Sequence, residues 1–466
     1  MSRINTNVSS LIAQRVLSNN NKALNTSLAR LSTGLKINSG ADNPAGLIAS
    51  ENLRAEKAGI AQAIDNSNRA SNIIGTAEGG LSEVSSLLTE IQSLVSQAAN
   101  SGGLSNEEIA ANQLQVDSIL STINRIAQST AFQGTKLLNG NYSYTTSGVA
   151  STSFDNVQIN ASRVPDGGTV NVVVQVTTSA QTGTISYSGG AIVGNVTIEV
   201  AGNTGTEQLS FSSGTTVSSI ATAINAVTTA TGVSASINAG SLVVNSTSYG
   251  ADQFVSLKSI AGTFSPSTTK DFGRDAAVTI NGAAAQAKGL GISYRSSNLD
   301  IEFDLDSTFN KAGTSTFAVT GGGAQFALGS KVSESDKASI GIASVSTGSL
   351  GDSTNGFLSA LGSGGSASLE SDNLASAQKI VDKAIKQVSQ LRGRLGAFQK
   401  FTIGSTINAL GIAFENASAA ESAIRDTDFA QETANLTRNQ ILAAAATTVL
   451  AQANASPQAA LSLLGR

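Results

Sequence analysis

The chain has 466 residues, enough for two to four domains, and it contains neither Cys nor His. That excludes disulfides, thiol nucleophiles, imidazole bases and His/Cys metal sites together, and no spacing of acids suggests a Ca²⁺ loop. Only 13% of residues are charged, with a net charge of −4, so there is no basic face for nucleic acid, and no apolar run reaches the ~18 residues of a membrane span. No cofactor, nucleic-acid partner or membrane insertion is expected.

The opening Met-Ser-Arg-Ile-Asn-Thr-Asn-Val has no basic stretch leading into an apolar core, so no Sec-type signal is expected, and on that rule alone the protein reads as cytoplasmic. Leu17, Leu24, Leu28, Leu31 and Leu35 follow a 7-4-3-4 heptad spacing. Ile4, Val8 and Leu11 repeat the 4-3 step in another phase, with Asn19-Asn20-Asn21 as an expected interruption. After a break at Gly34 and Ser39–Pro44, Asn43 as cap and Pro44 as first residue predict a long helix over about 44–100. Its seam is Ile74, Ala77, Leu81, Val84, Leu88, Ile91, Val95 and Ala98, weakened by Gly75, Gly79 and Gly80. Gly102-Gly103 ends it, and Ser105 with Glu108 makes a capping box for the next helix, whose seam is Ile109, Val116, Ile119, Ile123 and Ile126. Ala131 to Gly140 reads as a hairpin turning at Asn139-Gly140.

From about 142 to 369 alternation replaces heptads, and all five Tyr fall between Tyr142 and Tyr294. Strands are predicted at Val170–Val174, Val196–Val200, Val278–Ile280 and Leu299–Leu305, with one short helix through Val217, Ile220, Ile224 and Val227. Gly362–Ser368 reads as the exit linker. Helix resumes at about 372 with Ala377, Val381, Ala384, Val388, Leu391, Leu395 and Phe398, and a last helix over about 424–464 carries Leu442, Ala445, Val449 and Ala453, with Leu461 and Leu464 beyond Pro457. The expected fold is mixed: N- and C-terminal helical coiled-coil and bundle domains packed together around a central β-rich insert of one or two small domains.

Leu31–Leu47, reading LSTGLKINSGADNPAGL, closely resembles a signature of bacterial flagellins. Ile123–Ala127 leading into Phe132–Gly140 does too, as do Ala420–Ala430, Val449–Asn454 and Leu461–Leu464 at the other end. The resemblance covers the first 140 or so residues and the last 95 or so. It implies a structural, non-enzymatic subunit that polymerises into the flagellar filament. Residues 1–42 with 425–466 would be the filament core, packing through Leu24, Leu28, Leu31, Leu35, Leu442, Val449, Leu461 and Leu464. Residues 43–141 with 370–424 would be a helical rod whose seam includes Leu81, Val84, Leu88, Ile91, Val95, Val388, Leu391 and Leu395, and 142–369 the variable surface insert. It further implies export through the flagellar type III apparatus, which replaces the cytoplasmic reading. The implied partners are other copies, the cap, the hook junction and an export chaperone on the C-terminal helix.

Flagellins sensed by the vertebrate innate receptor carry Arg and Glu where this chain has Glu90 and Gln115, while Leu94 matches, so weak receptor activation is expected. Arg425, Asp426 and Asp428 read as a salt-bridged face near a helix start. The Ser/Thr-rich insert leaves O-glycosylation open. The rival functions are a hook–filament junction protein, which usually matches these end signatures poorly, and a surface adhesin, which would need an anchor. An insert metalloprotease would need His.

Overall fold

The computed structural model describes residues 6–100, 103–165, 167–371 and 373–465, with the backbone alone over 457–464. Among them are eight α-helices: α1 (Val8–Thr33), α2 (Pro44–Ala98), α3 (Asn106–Ser129), α4 (Val217–Ala226), α5 (Thr228–Thr231), α6 (Leu374–Ala397), α7 (Gly404–Arg425) and α8 (Phe429–Leu464). The chain divides into two compact units, and α2 contributes to both.

One unit holds residues up to 68, 327–336 and from 403 onward. In it α1 and α8 pair antiparallel, as hydrogen bonds from Asn7 Nδ2 to Ala453 O (2.7 Å), Asn20 Nδ2 to Leu442 O (3.1 Å) and Asn439 Nδ2 to Ser27 Oγ (3.2 Å) show. The Asn19–Asn21 run does not interrupt α1. Asn20 sits half-buried in the seam and donates across it, so its amide is satisfied without breaking the helix. The first part of α2 runs against α7, with Lys57 Nζ 2.8 Å from Glu421 and Arg425 Nη1 3.0 Å from Glu51.

The other unit holds 69–326 and 337–402. Its helical part buries Leu81, Val84, Leu88, Ile91 and Val95 of α2, Val116 and Ile123 of α3, and Val388, Leu391 and Leu395 of α6. Arg392 Nε donates to Glu78 at 2.8 Å across this packing. The predicted capping box forms at Ser105 and Glu108. Gly80 is not a mere weak point of α2. A Cβ there would lie 2.7 Å from Thr130 Oγ1 and 2.9 Å from Leu138 Cδ1, whereas Gly75 and Gly79 face open space.

The hairpin after α3 turns at Gln133-Gly134, not at Asn139-Gly140. Ala131–Phe132 pairs with Thr135–Lys136, and both turn residues have positive φ (49° and 84°), as a two-residue primed turn requires. Leu137 and Leu138 beyond it are fully buried, so the Asn-Gly lies outside the pairing.

The β-rich part is two modules. In the first, a five-stranded antiparallel sheet centred on Val170–Thr178 and Gly313–Gly322 packs with a four-stranded sheet containing Leu299–Leu305 and Phe154–Ser162. Phe154 meets the rings of Phe303, Phe309 and Phe317 edge-on in their shared core. The second module is nested within the first, between Thr178 and Ala277. Its four-stranded sheet is built around Val196–Gly202 and Phe254–Ala261, a three-stranded sheet around Ser241–Ser246, and α4 buries Ile220 and Ile224 against both. Val227, placed by spacing on the α4 face, instead caps that helix. The chain enters and leaves this module at paired Gln181 and Arg274, where a Cβ on Gly273 would sit 2.5 Å from two carbonyl oxygens.

The exit segment is no free linker. Gln113 of α3 donates from Nε2 to Leu361 O (2.9 Å) and accepts from Leu369 N at Oε1 (2.7 Å), and Asp117 accepts from Ser363 N (2.9 Å). Buried Gln113 thus satisfies both backbone groups, and Ala367 and Leu369 are buried beside it. The last helix begins at Phe429 rather than near 424, because Asp426 is extended (ψ 146°) and Asp428 caps the new helix by accepting from Ala430 N and Gln431 N.

Candidate assembly interface

The two end signatures meet in the first unit, at the breaks between helices. Gly34 ends α1 in the left-handed conformation (φ 74°), and its N–H closes on Arg30 O. The extended residues after it pair with those after α7: Lys36 N donates to Arg425 O (2.6 Å), Thr427 N to Gly34 O (2.9 Å), and Leu35 opposes Asp426. Arg30 lies 3.7 Å from Glu432 across the pair. Asp42 accepts from the backbone of Ser39 (2.8 Å) and Asn38 (3.1 Å), which holds its carboxyl below the usual range. Asn43 Oδ1 caps α2 at Gly46 N (3.0 Å), and a Cβ on Gly46 would lie 2.6 Å from buried Ile37. Most of the motif's special residues therefore have local jobs: a left-handed helix end, a turn staple, a cap and a close approach.

Arg425, Asp426 and Asp428 form no catalytic constellation. Arg425 pairs with Glu51, Asp426 accepts from Ser422 Oγ (2.6 Å) and Asp428 caps α8. Glu51 is shifted down, chiefly by its hydrogen bond from Arg54 and then by the nearby Arg425. Among the described residues no group of three or more acids could hold a metal ion, and no helix is long and apolar enough to cross a membrane.

The α1–α8 seam differs from the Leu pattern in the sequence. On α1 the residues turned inward are Ser10, Ala13, Leu17, Asn20, Leu24, Ser27 and Leu31, in perfect 3-4 alternation. On α8 they are Glu432, Leu436, Asn439, Ala443, Ala446, Leu450 and Ala453. Leu24, Leu31 and Leu35 are half-buried. Leu28 stays 47% exposed, Leu442 44% and Val449 58%, so these three lie outside the seam. On α8 the seam runs one residue later than the expected Leu442, Ala445 and Val449, at Ala443, Ala446 and Leu450, and rejoins the expected position at Ala453. Val8, Leu11, Ile12 and Val16 of α1, and Ile441 of α8, are likewise exposed. Of the expected heptad residues, Leu17, Leu24 and Leu31 of α1 and Ala453 of α8 do turn inward, whereas Leu28, Leu442, Ala445 and Val449 face out; the inward Ser10, Asn20, Ser27 and Asn439 carry no apolar signal in the sequence. The side chains of Leu461 and Leu464, like Ile4 and Gly102, lie outside the described residues.

Comparison with known proteins agrees with this reading of the ends. The profile of the bacterial flagellin N-terminal helical region matches residues 4–143, that of the C-terminal helical region residues 378–464, and the flagellin hook IN motif residues 195–248, inside the nested module. Polar flagellin B/D of Vibrio parahaemolyticus is 30% identical over 463 residues, covering 99% of both chains. The chain belongs to the flagellin family. B-type flagellin of Pseudomonas aeruginosa is 31% identical over 526 aligned positions, again covering 99% of each. The solved FliC structure from Burkholderia pseudomallei is 18% identical, covering 71% of this chain and 99% of that one, with a TM-score of 0.24, too low to carry any argument.

As a member of that family the chain is a structural filament subunit and not an enzyme. Glu90 and Gln115, where the sequence is expected to depart from receptor-sensed flagellins, are both exposed, whereas Leu94 is buried.

Proposed function

We propose that residues 1–42 and 425–466 form the core of the filament, that 43–141 with 370–424 form the helical layer around it, and that 142–369 are its outer surface. The observation that carries this is the apolar surface the α1–α8 pair leaves over: its seam is filled by Leu17, Leu24, Leu31, Leu436 and Leu450 between small and polar groups, while Val8, Leu11, Ile12, Val16, Leu28, Ile441, Leu442 and Val449 stay exposed outside it. A pair of this kind gains much by association, because each exposed Leu, Ile or Val contributes roughly 1.5–3 kcal/mol when fully buried. Leu28, Leu442 and Val449, outside the pair's own seam, are assigned to contacts between copies, Leu24, Leu31 and Leu35 to packing within the filament core, and Leu461 and Leu464, whose side chains lie outside the described residues, to that core as well. The rod seam of Leu81, Val84, Leu88, Ile91, Val95, Val388, Leu391 and Leu395 serves the subunit itself. A head-to-tail contact whose rotation does not close then yields an open helical polymer.

The finer partners are a filament cap and a hook junction at the polymer ends, and an export chaperone that covers the apolar stripe of α8 before assembly. The filament lies outside the cell after type III export. Negative-stain microscopy of the purified chain after seeding tests the reading: long filaments are expected, and only short soluble species under every condition would defeat it.

A further inference from the structure

Helix runs without a gap from Leu374 to Arg425, but its middle is a wide π turn over Phe398–Ile403. The reason is a surplus residue. A π turn takes up one residue more than a regular turn of α-helix. Downstream, Ile403, Thr406, Leu410, Ala413 and Ala417 continue a regular inward stripe.

Two further features surround the turn. Gly393, Gly396 and Gly411 flank it, and a Cβ on any of them would meet nothing within 4 Å. No close approach requires these glycines, so within this chain their effect is to soften the helix on both sides. Inside the turn Phe401 stands 66% exposed, while Phe398 is held against Phe326 (ring centroids 6.1 Å apart) and Gln399 donates to Ser71 Oγ (2.9 Å).

We propose that this π turn is a register hinge: its surplus residue can move along the softened helix towards Gly411, changing by one residue the face that the intervening segment presents. Moving the turn puts Thr402, Ser405 and Ala409 where Ile403, Thr406 and Leu410 now lie, and carries Phe401 into the half-buried place of Thr402. Losing Ile403 and Leu410 from the inward stripe favours the present register. Burying Phe401 offsets part of that loss, which keeps the second register within reach as a minor state.

Hydrogen exchange on the soluble full-length chain tests this without depending on polymerisation. Amides of 398–404 are expected to exchange on the order of tenfold faster than those of 380–391. Replacing Gly393, Gly396 and Gly411 together by Ala stiffens the helix, with no steric conflict in the chain, and should slow that exchange severalfold. Deleting exposed Lys400 removes the surplus and should bring exchange down to the flanking level. If circular dichroism shows that the deletion variant misfolds, the triple Ala variant decides. Wild-type protection equal to the flanks, or fast exchange unmoved by the Ala substitutions, overturns the hinge.

Discussion

Introducing Asp at both Leu442 and Val449 should block polymerisation while sparing the subunit. The two side chains are 44% and 58% exposed, so the single chain tolerates charge there at little cost. In the filament their remaining apolar surface would be covered. Each loses about 1 kcal/mol of burial, half of a full Leu or Val contribution. Each new carboxylate also meets an apolar neighbour at a penalty of several kcal/mol. Even 4 kcal/mol in all would raise the critical concentration by roughly three powers of ten. Sedimentation of seeded samples across a concentration series measures it, and circular dichroism of the soluble chain checks the fold. Ala446→Asp is the control: at 6% exposed it lies inside the α1–α8 seam and should loosen that pair in the monomer. A double variant that polymerises at the wild-type critical concentration would refute the assignment of this stripe to neighbouring copies.

Two glycines of α2 should respond oppositely: Gly75→Ala, into open space, should stabilise the chain by up to about 1 kcal/mol, and Gly80→Ala, against Thr130 and Leu138, should cost about 1–3 kcal/mol in urea unfolding. Gln113→Leu strands the carbonyl of Leu361 and the N–H of Leu369, and should cost about 2–4 kcal/mol with faster proteolysis around 361–369. Asp352 is shifted down: burial alone would raise it, but hydrogen bonds from Asn355 N (2.6 Å) and Lys383 (3.0 Å) outweigh that. A depressed carboxyl adds stability that is fully present above its unfolded value of about 3.9 and is lost as pH falls through the lower folded one. Lys383→Met should therefore weaken the protein at neutral pH and flatten its acid unfolding curve. Glu90 and Gln115 predict weak activation of the vertebrate innate receptor. A reporter-cell assay checks this, and potency equal to that of an enteric flagellin would contradict it.

Much of the architecture is legible in the sequence because its signals are local. Ser105 and Glu108 lie three residues apart and cap the same helix end, and the strand at Val196 alternates because one face of its sheet is buried. The seam of α2 and α6 could be read from spacing because Leu and Val fill it. The misplaced features depend on distant partners. The turn moved to Gln133-Gly134 because Leu137 and Leu138 are drawn into the core, and the apparent linker is held by Gln113, some 250 residues away. Sequence by itself determined the helical ends, the β-rich middle and the family, since periodicity, caps and motifs are properties of neighbouring residues. On α1 the spacing of Leu17, Leu24 and Leu31 already marked the inward face, but only the tertiary structure decided the face of α8 and the polar members of the seam. Asn20, Ser27 and Asn439 match that role only because a specific partner on the other helix takes their hydrogen bonds, and Leu28, Leu442 and Val449 lie outside that seam.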